Sequence, residues 1–177
     1  WARLLLRTGP KTSSPPKKAM KNAAIALENA PEFKNSLTYD ASALIVNIER
    51  PLPWDQPRAG EIWQPRAWAD NDDRMFLMWL ESRGVLLNLR VVAEAVQAVA
   101  NKRSFHPIRE YLQGVSWDGK ERLETWLSTY LSAEDTKFNR AAGKRWLVSG
   151  VARMEKPGCQ ADCMLILCGA QGTRKST

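Results

Sequence analysis

Histidine is almost missing: His106 is the only one in 177 residues. A single imidazole with no acid or further ligand beside it in sequence supports neither a Ser–His–Asp nor a Cys–His nucleophilic arrangement. It is read as a capping or packed residue. Cysteine is scarce too, and the three present, Cys159, Cys163 and Cys168, all lie in the last twenty residues. An odd count argues against a disulfide framework and for a reducing, cytoplasmic setting. A Cys-x3-Cys without another Cys or His nearby is a poor zinc site, so all three read as small apolar residues beside or within a strand. No apolar run approaches the roughly 18 residues of a membrane helix, and no signal peptide is visible. Among the acids, Glu110, Asp118, Glu121 and Glu124 suggest no paired carboxylate site. The most informative gap is at the start, where residues 1–27 contain no Asp or Glu.

Those same residues carry Arg3, Arg7, Lys11, Lys17, Lys18 and Lys21. The net charge is +7, so the remaining 150 residues contribute only +1. A basic leading segment suits nucleic-acid phosphates, whose contacts are electrostatic and blind to sequence. It equally suits a solvated linker and helix face. A mass of 20.0 kDa, 44% hydrophobic and 25% charged residues fit one or two small globular domains.

Residues 9–16, GPKTSSPP, read as a linker from an upstream domain, and 1–16 as a basic leader. Helix formers from Lys17 to Ala30 stop before Pro31. Leu37 to Ile48 reads as two short strands or one irregular hairpin. The prolines of 51–65 predict a loop, in which Trp54, Trp63 and Trp68 either stack bases or pin the loop to a core. Acidic residues at Asp70, Asp72 and Asp73 predict a helix start, and the apolar run Met75–Leu80 predicts deep burial on all sides. Gly84 ends that helix. Asn88 caps a second one that buries Leu89, Val92, Val96 and Val99. The pair is either a packed hairpin or a helix-turn-helix reader using Arg90, Lys102 and Arg103. A short helix follows from Pro107, then a turn at Asp118-Gly119. Leu123, Trp126, Leu127, Tyr130 and Leu131 fall at helical spacing from Arg122 onward. A last helix over about 136–154 turns Ala142, Trp146 and Val151 to a core, with Gly143 and Gly150 permitting close approach.

The chain closes on DCMLILCGAQGTRKST. An apolar strand, Met164–Cys168, then a glycine-containing loop and Lys-Ser-Thr is the order of a P-loop. Glycines let backbone N–H groups reach an anionic triphosphate, and a helix N-terminus points its positive end there. Gly169, Ala170, Gln171, Gly172, Thr173, Arg174, Lys175, Ser176 and Thr177 are the candidate nucleotide-binding residues. Lys175 is expected on the β- and γ-phosphates of ATP as the catalytic cation, and Ser176 on Mg2+. The spacing departs from G-x-x-x-x-G-K-[ST] in one respect: Arg174 stands where the second glycine belongs. The chain opens on Trp1 rather than Met, which reads as an excerpt, with Walker B acids and any arginine finger expected past Thr177.

Four stretches taken in order carry a resemblance: Ser104–Leu112, Val115–Leu123, Val151-Ala152-Arg153 with Pro157-Gly158-Cys159, and Gly169–Thr177. Together they resemble the virulence-associated protein E family of phage and mobile-element replication proteins, densely from about residue 100 to the end. The resemblance implies a P-loop ATPase similar to the helicases that accompany phage and plasmid primases. It implies DNA, single-stranded or at a fork, as partner, an upstream primase domain, and a ring of copies in the full-length protein. The fold class expected is a mainly α region with a small β element (17–115), leading at 116–177 into the first strand and P-loop of an α/β NTPase core. Two other classes remain: a non-catalytic DNA-binding adaptor with a degenerate P-loop, and a helical module that docks on a primase.

Overall fold

Leu37–Asp40 (β1) and Ile45–Ile48 (β2) pair antiparallel, Leu37 opposite Ile48 and Asp40 opposite Ile45. The computed structural model that shows this describes residues 1–55 and 60–169. Asp40 makes the connecting turn: its Oδ1 accepts from the N–H groups of Ser42 and Ala43, the usual way an Asp side chain closes a turn. Two very short strands complete a mixed sheet of order β3-β2-β1-β4. Arg66–Ala67 (β3) runs antiparallel to β2, and Ser104–Phe105 (β4) runs parallel to β1. Neither edge strand has enough residues to show an alternation in sequence.

Helices cover this sheet. Met20–Asn29 (α1) ends where Ala30 turns extended ahead of Pro31, as a residue before proline must. Asp70–Glu81 (α2) begins with half a capping box, since the Asp72 carboxylate accepts from the Ala69 backbone N–H while Ala69 has no side chain to return the bond. Leu89–Asn101 (α3) is capped by Asn88 Oδ1, which accepts from the Val91 N–H at 2.9 Å. α3 packs on α1, α2 and the sheet through Val92, Ala95, Val96 and Ala100. The expected all-round burial of α2 does not hold: Phe76 and Leu80 are buried, while Met78 is 61% exposed. One face meets α3 and the other meets solvent, an ordinary amphipathic arrangement.

The chain divides into two units, Trp1–Pro107 and Ile108–Thr177. The first holds the sheet, α1 to α3 and a core of buried residues running from Leu5 to Ala100. The second begins with Pro107–Gly114 (α4), whose first residue closes the first unit, and adds Trp126–Leu131 (α5) and Lys137–Glu155 (α6). α5 is shorter than the periodicity from Arg122 predicts. Asp118 Oδ1 accepts from the Lys120 N–H, its carboxylate takes both Arg122 guanidinium nitrogens, and Gly119 has φ +81°. That local turn holds the backbone out of a helix up to Thr125.

Two expectations in this unit are overturned. Residues 160–169 form neither helix nor strand, so the strand expected at Met164–Cys168 is absent, and Met164 and Ile166 are exposed. A strand exists only where a neighbour pairs with it, and among the described residues 108–169 there is no strand to pair with. Cys163 and Cys168 are consequently exposed and Cys159 half-buried, all with free thiols. On α6 the buried residues are Gly143 and Met154 rather than Trp146 or Val151, which are exposed.

Candidate functional site

The basic leader is folded against the first unit. Leu5 joins the core, Arg7 bridges antiparallel to Pro16, and the Lys17 N–H donates to the Leu6 carbonyl at 2.7 Å. Buried Asn22 on α1 holds the return: its Oδ1 accepts from the Leu6 N–H at 2.7 Å, and its Nδ2 donates to the Leu6 and Lys17 carbonyls at 2.9 Å. All four hydrogen-bond positions of that side chain but one are used. Sequence reasoning missed Asn22, because a polar residue on a basic helix reads as surface.

The six expected phosphate contacts therefore separate. Arg7 is structural: its guanidinium donates to the carbonyls of Ser14 and Ala2 and ties the segment into a loop. The side chains of Arg3, Lys11, Lys17, Lys18 and Lys21 are exposed and, among the described residues, have no carboxylate or hydrogen-bond partner. Five uncompensated cations on one folded segment are well suited to a polyanion.

The helix pair α2–α3 offers less. Arg90 forms an exposed pair with Glu94 at 3.0 Å and Lys102 one with Glu28, pairs that contribute little, while Arg103 donates to the Leu37 carbonyl. α3 spends its apolar face on α1 and the sheet. This is the packed hairpin. The tryptophans of the loop are anchors: Trp54, Trp63 and Trp68 lie against the core, and their indole N–H groups donate to Asp72, Asp55 and Asp73. They present no free faces in a row for bases.

That loop also holds a charge network the sequence did not signal. Arg66 donates to both oxygens of Asp72 and to Asp55, each at 2.7 Å. Burial alone would push the Asp72 carboxyl up, but hydrogen bonds from Arg66, Trp54 and the Ala69 N–H outweigh it and hold it below the usual range. Asp73 is the opposite case. Burial raises it, the Trp68 bond only partly offsets this, and the neighbouring Asp70 and Asp72 charges add to the rise. The network fixes the entry to α2 and is a structural feature.

In the second unit the stretch 117–125 and α6 enclose a cleft of about 700 Å³. Trp126 and Trp146 stack beside it, with ring centroids 5.8 Å apart. Of the expected phosphate loop, Gly169 is described and is exposed. Ala170, Gln171, Gly172, Thr173, Arg174, Lys175, Ser176 and Thr177 lie outside the described residues. Among the described residues no group of His, Cys, Asp and Glu could hold a metal, and no helix is long and apolar enough to cross a membrane.

Residues 112–177 match the virulence-associated protein E-like domain. No curated protein matches the chain.

Proposed function

We propose that this chain, whose residues 112–177 match the virulence-associated protein E-like domain, is part of a P-loop ATPase that acts on DNA during replication of a phage or mobile element. The observation that carries the reading is the sequence order Gly169 to Lys175-Ser176-Thr177 inside the matched segment. A lone glycine-rich loop is a weak signal; its position inside the segment that matches a family domain supports it. The donor set suits the group it would hold. Lys175 offers a compact cation to the β- and γ-phosphates, Ser176 a hydroxyl to Mg2+, and the loop a succession of backbone N–H groups. ATP with Mg2+ would supply the phosphoryl group whose transfer drives movement along DNA. Arg174 brings a guanidinium rather than a glycine, which suits a second phosphate contact. The exposed cations Arg3, Lys11, Lys17, Lys18 and Lys21 would meet the DNA backbone. An upstream primase domain and a ring of copies complete this reading in the full-length protein.

The test is ATP hydrolysis by the full-length protein that carries this chain, with and without single-stranded DNA, beside Lys175→Ala. DNA-stimulated hydrolysis that falls at least about a hundredfold in the variant is expected, since Lys175 would stabilise charge that develops in the transition state. A folded protein that binds DNA but never hydrolyses ATP would sink the ATPase. The non-catalytic adaptor would then stand, favoured by the five unpartnered cations of the leader.

A further inference from the structure

We propose that the cleft between residues 117–125 and α6 is a groove for single-stranded DNA, with Trp117 as a base-stacking platform. The inference rests on the DNA-acting reading above and gives it a second contact site, separate in sequence from the leader. Trp117 is 76% exposed, much as Phe138 and Met164 of the same unit are. It is nevertheless held in place: its indole N–H donates to the Lys120 carbonyl at 3.3 Å, across the turn that Asp118 and Arg122 close. A large π-face on an ordered turn at the rim of a cleft is a stacking surface that costs little to organise.

The charge around it is mixed, four cations against four carboxylates, and the cations are exposed. Lys120, Arg122, Arg140 and Lys144 line the cleft, against Glu121 and Glu124. The Lys120 ammonium has no carboxylate or hydrogen-bond partner among the described residues. The other three hold exposed carboxylates: Arg122 holds Asp118, Arg140 holds Asp135, and Lys144 holds Glu124. Exposed ion pairs of this kind contribute little, and a phosphate oxygen accepts the same donors as the carboxylate it replaces. Cations that track a backbone beside an aromatic face that accepts any base are the chemistry of sequence-tolerant single-strand binding.

A free nucleotide shares this chemistry, so the test separates the two. Binding of the full chain to a fluorescein-labelled oligothymidylate is followed by anisotropy, with Trp117→Ala, Trp117→Phe and Lys120→Ala beside the wild type. Trp117→Ala should weaken binding at least about fivefold, and Trp117→Phe, which keeps a π-face but loses the Lys120 bond, should stay within about twofold. Lys120→Ala should lower the salt slope by about 0.7. The exposure of both side chains leaves the fold intact, which circular dichroism checks. Wild-type affinity in Trp117→Ala, with binding lost on neutralising the leader lysines, would overturn this groove and leave the DNA reading standing. Equal losses in the Ala and Phe variants would mark Trp117 as a loop brace only and overturn the stacking. Displacement of the oligonucleotide from the cleft by mononucleotide alone would overturn a strand in favour of a nucleotide. No binding of any oligonucleotide by the wild type would sink both readings.

Discussion

Asp72 and Asp73 are neighbours in one helical turn, yet their carboxyls are displaced in opposite directions. Their contributions to stability therefore run oppositely with pH. The folded value of Asp72 lies below its unfolded one of about 3.9, so its contribution is complete above that value and is lost as pH falls through the folded value. Asp73 lies above its unfolded value, so what it contributes is complete below about pH 3.9 and is lost as pH rises through the folded value. Asp72→Asn should cost about 3 kcal/mol near neutral pH, because it leaves the Arg66 charge poorly compensated, and the difference should persist to about pH 4 and shrink only below it. Asp73→Asn keeps an oxygen for the Trp68 N–H and removes a buried charge, so it should be no less stable than wild type near neutral pH and should lose ground as the solution is acidified. Urea unfolding at about pH 7, about pH 4 and about pH 2.5 checks both. Equal pH profiles for the two variants would refute the assignment. None of this could be read from Asp-Asn-Asp-Asp beyond a helix start: which acid meets Arg66 depends on a loop that crosses from β2 to α2.

Elements with a cap and a period were legible, and the short ones were not. Asn88 and the spacing of Val92 and Val96 located α3, and the β-branched run before Arg50 located the hairpin. The two-residue strands β3 and β4 exist through pairing with β2 and β1, a tertiary fact with no local pattern. The two glycines of α6 looked alike in sequence and differ in space. A Cβ on Gly143 would stand 2.8 Å from both Leu127 Cδ1 and Trp126 Nε1, and 3.0 Å from Leu127 Cγ, whereas one on Gly150 would meet nothing within 4 Å. Gly150→Ala should raise helix stability by about 1 kcal/mol. Gly143→Ala gains the same propensity, but overpacking against the buried Leu127 and the stacked Trp126 costs about 1–3 kcal/mol. Its net effect should be zero or destabilising, with the α5–α6 packing loosened. Thermal unfolding followed by circular dichroism distinguishes the two variants, and a stabilised Gly143→Ala would mean that α5 does not press on α6.

At the scale of the chain, burial is uneven, and stability should follow it. Eighteen hydrophobic residues form the core of the first unit, while in the second only Leu127 and Met154 are buried hydrophobics among the described residues. Ordering a residue's backbone costs about 1–2 kcal/mol, and a fully buried large side chain returns about 1.5–3 kcal/mol. The first unit therefore receives much more of this return than the second, even though five of its eighteen core residues are alanines. The second unit instead exposes Tyr130, Phe138, Met164 and Ile166, side chains that the remaining strands of an α/β core would cover in the reading proposed above. The strand expected at Met164–Cys168 was read from its apolar run, and that run alone does not make a strand where no neighbour among the described residues of this unit pairs with it. Local opening costs least where few apolar contacts oppose it. Limited proteolysis of this chain should therefore cut first within residues 108–169 and leave a resistant fragment that ends near Pro107. That fragment should keep the cooperative thermal transition of the intact chain. First cuts inside α1 to α3, or loss of the transition once the second unit is removed, would show that the two units share one stability and that burial within each does not set it.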